Sequence, residues 1–361
     1  MALIRHEGGP DMTLTDKRIA VLSSGANGSC IAADLTSAGL DVTIIDHWPA
    51  HVEAMREHGI TIETRDGTTT TPVNAIHLCD VATLTAPFDI VLLTSKAYDS
   101  RWLTELILPY LAEDGLLVAV QNCMTAEMIA GIVGPERTVG CVVELSSQLF
   151  EPAEIKRNTE TARTWFGVGA FDPAHEDRVE EVADLLAHAG RVDISDDVIS
   201  AKWMKLITNT MSMGIKAICN ATNAQLFQEN GPEYAAIARA VCLKSGEEAL
   251  AAGQFLGYRP VPVYGLKPED VENTNNLLET LLDKIVADVG PTAINTVLQD
   301  HMKGRCSEVD MINGMVADEC KANGRKSPVN DAIVEITRRI HAGELSPDTE
   351  NLELLRREMS A

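Results

Sequence analysis

A short helical stretch from Ser200 to Met213, SAKWMKLITNTMSM, carries the residues best suited to proton transfer. Lys205 and Asn209 are four residues apart, so they lie one turn apart on the same side of a helix. A lysine in a partly dry cleft can have its pKa lowered enough to move a proton near neutral pH, and as an ammonium it stabilises a developing oxyanion. An asparagine beside it can hold a substrate oxygen without adding charge.

The charge pattern around this stretch is unusual for so acidic a chain. The sequence has 53 acidic and 30 basic residues, yet it contains no Asp or Glu between residues 198 and 228, which hold Lys202, Lys205 and Lys216. In a helix, Ser212 and Lys216 project within about 20° of Lys205. A polar face in water is the usual explanation, but such a face would carry acids paired with its lysines. A face turned towards an anionic ligand is the alternative.

A second candidate site follows the first apolar segment of the chain, residues 18–22. Against the pattern Gly-x-Gly-x-x-Gly, Ser23 replaces the first glycine, and Gly25 and Gly28 are the second and third. Gly25 lets the backbone approach a pyrophosphate, Gly28 lets helix and strand pack closely, and the helix N-terminus attracts the phosphates. The turn therefore predicts a dinucleotide site formed by Ser23, Ser24, Gly25, Ala26, Asn27 and Gly28.

Asp46 lies 21 residues after Gly25, at the end of the next predicted strand. A carboxylate there accepts hydrogen bonds from the adenosine ribose and repels a 2′-phosphate, so NAD is favoured over NADP as the cofactor. An α/β domain without a nucleotide, such as a flavodoxin-like domain, is the alternative. His47 and His51 have no third ligand nearby, so we interpret them as surface residues at the adenine edge, and no metal site is predicted.

The elements that must position these residues form two different halves. Apolar runs over residues 18–22, 41–46, 88–95 and 115–122 predict buried strands of a parallel sheet that is covered on both faces. From Ser195 onward strand signals stop, and helical periodicity covers residues 233–252, 274–289 and 292–323. We predict a loose tail (1–16), an α/β Rossmann-type dinucleotide-binding domain (17–194) and an all-α domain (195–361) that provides substrate contacts and dimerisation, with a cleft between the two domains.

Bulk composition excludes several function classes. A net charge of −23 argues against nucleic acid or an anionic membrane as a partner. No run reaches 18 consecutive apolar residues, so no membrane span is expected. The eight cysteines have no Cys-x-x-Cys spacing, and the first 16 residues lack the apolar run of a signal peptide. We therefore expect reduced thiols and a cytoplasmic protein.

Several motifs, in order along the chain, resemble those of the ketopantoate reductase family. They are the glycine loop, SKA at 95–97, QNCM at 121–124, KWMKLITN at 202–209, VLQD at 297–300 and SEVDMING at 307–314. The resemblance implies a Rossmann domain followed by a helical, 6-phosphogluconate-dehydrogenase-like domain. It also implies nicotinamide-dependent reduction of a 2-keto acid. We expect a homodimer that acts on a small hydroxy or keto compound.

The resemblance also implies roles for single residues. Lys205 matches the family's catalytic lysine and Asn209 its substrate-binding asparagine, while Glu308 matches a carboxylate that helps hold the substrate or the lysine. Three further positions match groups that contact cofactor or substrate: Lys96 at the cofactor cleft, Asn122 near the nicotinamide, and Thr296 at the substrate. Without the resemblance, Glu308 would be interpreted as a surface ion-pair partner of Arg305, three residues before it.

The chain departs from the family pattern at specific positions. Met213 stands where the family has a second substrate-binding asparagine, Cys123 replaces a glycine, and Asp46 disagrees with the family's use of NADPH. Residues 258–277 are extra sequence. We therefore expect an NAD-dependent dehydrogenase whose substrate is not ketopantoate. The alternatives are an NADPH-dependent 2-dehydropantoate 2-reductase of pantothenate biosynthesis and a nucleotide sensor without catalysis.

Overall fold

The computed structural model describes residues 13–272 and 276–359. Residues 1–12 of the predicted tail therefore lie outside the described residues. The last part of the tail forms a 3-10 turn at Leu14–Asp16. Likewise, residues 274 and 275 of the helix predicted over 274–289 are not described.

The strands within the described residues are β1 (Arg18–Leu22), β2 (Asp41–Asp46), β3 (Ile60–Thr64), β4 (Gly67–Thr71), β5 (Asn74–His77), β6 (Phe88–Leu93), β7 (Leu111–Ala119), β8 (Thr138–Glu144), β9 (Ser147–Glu151), β10 (Glu154–Arg157), β11 (Trp165–Ala170) and β12 (Arg191–Ile194). The α-helices are α1 (Ala26–Ser37), α2 (Pro49–His58), α3 (Ser100–Ile107), α4 (Ala126–Val133), α5 (Val179–Leu186), α6 (Val198–Thr210), α7 (Met213–Ile218), α8 (Pro232–Phe255), α9 (Pro268–Glu272), α10 (Leu277–Val289), α11 (Thr296–Met302), α12 (Val309–Ala322), α13 (Pro328–His341) and α14 (Leu352–Glu358).

The main sheet has the strand order β12-β11-β8-β7-β6-β1-β2-β5, and its pairs are parallel except for β8 with β11. The predicted strands at β1 and β2 have the predicted bounds, while β6 ends two residues earlier and β7 begins four residues earlier than expected. A smaller sheet of order β4-β3-β10-β9 packs against α1. The prediction of a parallel sheet is confirmed for the four predicted strands, β1, β2, β6 and β7, and the one antiparallel pair joins β8 and β11, which lie outside the predicted runs.

The carboxyl ends of five neighbouring strands meet at one edge of the main sheet, because these strands all run parallel. Ser23 follows β1, Asp46 ends β2, Lys96 comes shortly after β6, Asn122 shortly after β7, and Glu144 ends β8. This edge is where ligands bind in open α/β sheets. The topology thus brings together residues that are far apart in sequence.

Among the described residues from 195 onward there are helices and no strands, as predicted. Helix α6 begins after Asp197, whose carboxylate accepts the Ser200 backbone N–H at 3.0 Å. Trp203 and Ile207 of α6 are buried in the helical core. The helix stops at Thr210 and resumes as α7 at Met213, and the long run predicted over 292–323 is also two helices, α11 and α12, joined by a loop.

Two further observations concern the broad class of the protein. All eight cysteines are free thiols, six of them buried, as the sequence predicts. In the described part of the chain, no helix combines the length and the apolar character needed to cross a bilayer.

Candidate active site

A cleft of about 460 Å³ runs along the carboxyl edge of the sheet and under the loop between α11 and α12. The cofactor residues predicted from the sequence line it, apart from Gly28: Ser23, Ser24, Gly25, Ala26, Asn27, Asp46, Lys96 and Asn122. Thr296 and Glu308 line the same cleft from the helical part. The sequence-predicted residues are therefore brought together between the two parts of the chain.

The glycine loop has the shape that a dinucleotide requires. A Cβ placed on Gly25 would meet no atom within 4 Å, so the backbone is open on the side where a pyrophosphate would approach. A Cβ on Gly28 would lie 2.3 Å from Thr94 Oγ1, so only glycine permits helix α1 to pack this closely. Ser23 has φ of 66°, the left-handed region that glycine adopts most easily. These observations fit a nicotinamide dinucleotide.

His51 holds the glycine loop in place. The interpretation of His51 as a surface residue is wrong. It is fully buried, its Nδ1 accepts the Ala153 N–H at 2.9 Å, and its Nε2 lies 2.9 Å from the Ser24 carbonyl oxygen. Nε2 must therefore carry the proton and donate it to Ser24. Burial lowers the pKa of His51, which keeps the ring neutral. No cluster of three or more His, Cys, Asp or Glu side chains suited to a metal occurs among the described residues.

Asp46 is buried, and its Oδ1 accepts the Trp48 backbone N–H at 2.7 Å. Among the described residues no donor contacts the second carboxylate oxygen, and Asp46 lines the cleft. Two cations that the sequence analysis did not connect with Asp46 line the same cleft, Lys303 and Arg305 from the loop after α11. The Arg305 guanidinium lies 5.3 Å from the centre of the Trp48 ring. Both signs of charge are therefore present at this end of the cleft.

Lys96 and Glu308 contact each other, and this changes the role expected for Glu308. Lys96 Nζ lies 2.5 Å from Asp300 Oδ2 and 3.6 Å from Glu308 Oε2, while Glu308 Oε1 accepts the Ala97 N–H at 2.8 Å. Burial would lower the pKa of Lys96, but Glu308 and Asp300 outweigh it and raise the pKa. Glu308 thus pairs with Lys96, whereas the family resemblance connected it with the substrate or Lys205, and its spacing alone connected it with Arg305.

A smaller cavity of about 70 Å³ adjoins the cleft, and Lys205, Asn209 and Met213 line it. Five residues line both spaces: Asn27, Asn122, Val143, Thr296 and Gln299. Asn209 Nδ2 donates to Asn122 Oδ1 at 3.2 Å, which links α6 to the loop after β7. Thr296 Oγ1 lies 3.9 Å from Met213 Sδ. The residues that the family resemblance connects with the substrate therefore surround one space next to the cleft.

Lys205 has an acidic partner that the sequence analysis did not find. Its Nζ lies 2.5 Å from Glu144 Oε2 and 5.0 Å from the centre of the Tyr264 ring. The Tyr264 hydroxyl is 2.9 Å from Thr208 Oγ1, so this ring is anchored to α6. Burial by itself would lower the pKa of Lys205, but the Glu144 carboxylate, with Tyr264, raises it well above 10.5. The lowered pKa expected for this lysine is therefore wrong, because a carboxylate does reach it.

The other two lysines of the acid-free segment are buried as well. Lys202 Nζ donates to three main-chain carbonyls, Ala119 at 3.3 Å, Gln121 at 2.8 Å and Cys141 at 3.1 Å. Lys216 lines the smaller cavity and donates to Asn223 Oδ1 at 2.9 Å. Burial lowers the pKa of each ammonium to about 8. The segment is not a face in water, which explains why acids paired with these lysines are absent from it.

In this protein the carboxyl edge of a Rossmann-type sheet faces a helical part that carries the lysines. This arrangement is typical of a class of two-part nicotinamide-dependent dehydrogenases. The family model described as ketopantoate reductase PanE/ApbA matches residues 19–170, and the model of its C-terminal part matches residues 197–341. The chain belongs to the ketopantoate reductase family. It is an oxidoreductase of CH–OH groups that uses a nicotinamide cofactor.

Individual relatives are distant. A 2-dehydropantoate 2-reductase of Mesorhizobium japonicum is 26% identical over 349 residues, which cover 90% of this chain and 97% of the relative. The fold is similar to that of a D-mandelate dehydrogenase in complex with NADH and anilino(oxo)acetate, with a TM-score of 0.78, 18% identity, and coverage of 91% of this chain and 99% of the other. A PanE/ApbA family ketopantoate reductase from Ralstonia eutropha gives a TM-score of 0.74 at 22% identity, with the same coverage.

Proposed function

We propose that this protein is an NAD-dependent dehydrogenase that interconverts a small hydroxy acid and the corresponding keto acid, with Lys205 as the proton-transfer group. The observation that carries the proposal is the position of Lys205, which lines the small cavity next to the cleft together with Asn122 and Asn209. The dinucleotide would be held by the glycine loop, Asp46 and Lys96. When bound, the nicotinamide supplies or accepts the hydride.

In the reduction direction Lys205 is the proton donor, and Glu144 is its ion-pair partner. In reduction, the carbonyl carbon gains a hydride while its oxygen takes a proton from the Lys205 ammonium, so that the carbonyl becomes an alcohol. Glu144 keeps the lysine protonated and orients it, since the two groups form an ion pair. Asn209 holds the same oxygen by an N–H donor. In oxidation the proton moves in the opposite direction, from the alcohol to a lysine that has first lost its own proton.

The choice of NAD rests on Asp46. Its free oxygen can accept a hydrogen bond from a ribose hydroxyl, whereas a 2′-phosphate at this position would meet a buried negative charge. The D-mandelate dehydrogenase with a similar fold binds NADH, which supports the same choice. The observation in favour of NADP is the pair Lys303 and Arg305 in the same cleft. An NADPH-dependent 2-dehydropantoate 2-reductase, the activity named for the relatives, is therefore the second candidate function.

Met213 argues against ketopantoate as the substrate. A thioether has no N–H donor and is only a weak acceptor, so it cannot replace the asparagine that the family resemblance places there. Apolar groups of Val143, Ile285 and Ile294 line the cavity with it. A substrate with an apolar portion next to the reacting carbon suits these walls. The complex of the D-mandelate dehydrogenase with anilino(oxo)acetate supports a 2-oxo acid that carries a bulky apolar group.

Assembly and location are part of the proposal. A dimeric ketopantoate reductase from Staphylococcus aureus has a similar fold, with a TM-score of 0.66, and supports a homodimer. The free thiols of all eight cysteines support a cytoplasmic location.

Turnover by Lys205 variants tests the proposal. A panel of 2-hydroxy acids with NAD and NADP should identify an oxidised substrate, and Lys205→Met should lower kcat on it by roughly 10²–10⁴, the usual range for general acid–base catalysis. The Kd of the cofactor should change little, because Lys205 does not line the larger cleft. Near-normal turnover of the variant would exclude Lys205 as the proton-transfer group.

A further inference from the structure

A further cavity of about 150 Å³ lies next to the small cavity that holds Lys205. We call it the outer cavity, and its walls include Glu144, Ala162, Trp165, Arg191 and Tyr264. Ala162, Arg163 and Arg191 line it and are exposed at the protein surface. These three residues line neither the cleft nor the small cavity. The outer cavity is therefore open to solvent through residues that belong to neither of the other two spaces.

Glu144 lines both the small cavity and the outer cavity, and no other residue in the described ranges does so. The small cavity has two further ionisable groups on its wall, Lys205 and Lys216, and neither lines the outer cavity. The Glu144 carboxylate favours the charged form of both ammoniums, and it contacts Lys205 directly, with 2.5 Å between Oε2 and Nζ. Glu144 is thus the titratable group that connects Lys205 with the outer cavity.

Tyr264 forms part of the wall between the two cavities. Its hydroxyl lies 2.9 Å from Oγ1 of Thr208, which lines the small cavity. Its ring packs edge-on against Trp165, with 5.6 Å between the ring centres, and both rings line the outer cavity. Burial raises the pKa of Tyr264 to about 12, so its hydroxyl stays neutral. A proton therefore crosses this wall more easily at the Glu144 carboxylate than at the rings beside it.

Each turnover of the proposed reaction changes the number of protons on Lys205. In reduction the ammonium gives one proton to the carbonyl oxygen and becomes a neutral amine, which must regain a proton before the next turnover. A dinucleotide in the cleft and a keto acid in a cavity of about 70 Å³ leave little room for water beside Lys205. A route that avoids the cleft would let Lys205 regain its proton while the dinucleotide is bound.

We propose that Glu144 carries protons between Lys205 and the solvent in the outer cavity. The inference rests on the proposed function for the reaction that uses the proton. In reduction, a hydronium ion or a buffer acid in the outer cavity protonates the carboxylate, and the carboxylic acid passes this proton to the neutral amine, which restores both carboxylate and ammonium. In oxidation the ammonium gives its proton to the carboxylate, which releases it to water.

Glu144 acts on the reaction through Lys205, so it is a positioning residue with a second task. The transfer from the carboxylic acid to the amine is favourable, because the pKa of Lys205 is raised well above 10.5. Charge pairing alone would require no access from solvent to Glu144. The outer cavity provides that access, and this distinguishes a proton route from a purely structural ion pair.

A side chain that fills the outer cavity tests the route without changing Glu144. Ala162→Trp places an indole at the rim, and Thr161→Trp is the matched control, because Thr161 is exposed and lines none of the three spaces. Reduction by NADH of the keto acid identified in the panel is followed by stopped flow and at steady state. The first turnover uses the proton already on Lys205, so its rate constant in Ala162→Trp should change by less than about two-fold.

Every later turnover needs a new proton, so kcat of Ala162→Trp should fall at least about three-fold. The solvent deuterium isotope effect on kcat should rise, because return of the proton becomes rate-limiting. An unchanged kcat, an equal loss in Thr161→Trp, or a first turnover that slows as much as kcat would overturn the inference. Thermal melting and cofactor affinity show whether each variant is folded, and Ala162→Phe is a second variant with a smaller ring.

A modification experiment tests the route without turnover. Glu144→Cys is placed in a chain whose exposed cysteines are removed by Cys79→Ser and Cys306→Ser. The thiol reacts with methyl methanethiosulfonate to a methyl disulfide, which the intact mass reports. The rate should agree within about two-fold with and without saturating NADH or NADPH, whichever binds more tightly, and addition of Ala162→Trp should slow it at least about ten-fold. Protection by the dinucleotide, or no effect of the added indole, would overturn the inference.

The two experiments separate this inference from the proposed function. If no keto acid is reduced, the proposed function fails, and the modification rates still decide whether solvent reaches residue 144 through the outer cavity. If Lys205→Met lowers kcat as expected but Ala162→Trp turns over like wild type, the proposed function stands and this inference fails.

Discussion

Lys205 of α6 and Glu144 at the end of β8 form an ion pair with 2.5 Å between Nζ and Oε2, and this pair joins the helical part to the edge of the sheet. Both side chains are largely buried, so water screens the pair less than it would at the surface. Tyr264 packs against the ammonium from a third segment. The protonation state of the proposed catalytic group is therefore set by a residue 61 positions away in sequence.

Glu144→Gln should change the pH dependence of reduction. In wild type the raised pKa keeps Lys205 protonated to well above pH 10.5, so its proton is not lost in the assay range. Without the carboxylate, burial dominates and lowers the pKa below 10.5. Since reduction needs the ammonium, kcat/KM should now fall as pH rises through this lower value. The measurement is the profile of log kcat/KM between pH 6 and pH 11.

Glu144→Asp, which keeps the charge, is the matched control and should retain more of the wild-type profile. If the profile of Glu144→Gln is as flat at alkaline pH as that of wild type, Glu144 does not control the proton on Lys205.

Asp46→Asn should weaken the preference for NAD. The substitution removes the charge that repels a 2′-phosphate and keeps the size of the side chain. The Kd ratio of NADP to NAD should fall by about ten-fold, which corresponds to about 1.4 kcal/mol. Arg305→Met is the comparison, because loss of a cation from the same cleft should weaken NADP binding more than NAD binding. Tighter binding of NADP than of NAD by wild type would remove the basis of the NAD assignment.

Lys202→Met and Lys205→Met should affect different properties. Lys202 lines neither cavity and donates to three carbonyls, so its loss should lower the free energy of unfolding by roughly 2–4 kcal/mol, as expected when buried acceptors lose their donor. The kcat of the folded variant should remain within a few-fold of wild type. Lys205→Met should show the reverse pattern, with a large loss in kcat. Urea unfolding and steady-state kinetics on both variants provide the comparison. A larger kcat loss in Lys202→Met would reassign the catalytic lysine.

Ser23→Gly should stabilise the protein. Ser23 has φ of 66°, where a side chain costs roughly 1–2 kcal/mol, while the added flexibility of glycine in the unfolded chain costs about 0.5–1 kcal/mol. A net gain of about 0.5–1 kcal/mol is expected from urea unfolding with an unchanged m-value. Ala130→Gly in helix α4 is the control and should be destabilising. A variant of Ser23 that is less stable than wild type would show that its hydroxyl contributes more than the strain costs.

Sequence periodicity predicted the strands and helices that carry the site residues, but it did not predict which residues their side chains contact. The apolar runs at β1 and β2 gave the correct bounds, because a buried parallel strand must be apolar throughout. The helical spacing of Lys205, Asn209 and Lys216 likewise predicted side chains on one face, and the structure places all three on one cavity wall. These features depend on local geometry, which is readable from one segment.

The sequence did not show which residues pair with the charged side chains. Glu144 belongs to no motif, and its contact with Lys205 exists only because β8 ends at the edge where α6 packs. Tyr264 reaches Lys205 from the segment 258–277, which the sequence identified only as extra relative to the family. Glu308 was identified by its motif, yet its partner is Lys96, 212 residues earlier in the chain. A motif indicates which residue is functional, whereas the fold decides which residue it contacts.

The wall shared by the two spaces, which includes Asn27, Asn122 and Thr296, has a kinetic consequence. Because these residues line both the large cleft and the small cavity, a dinucleotide in the cleft would complete the boundary of the space next to Lys205. A hydroxy acid that arrives before the dinucleotide meets a chamber with one side open. For the proposed function we therefore expect an ordered mechanism, in which the cofactor binds first and leaves last and the small acids exchange between these two steps.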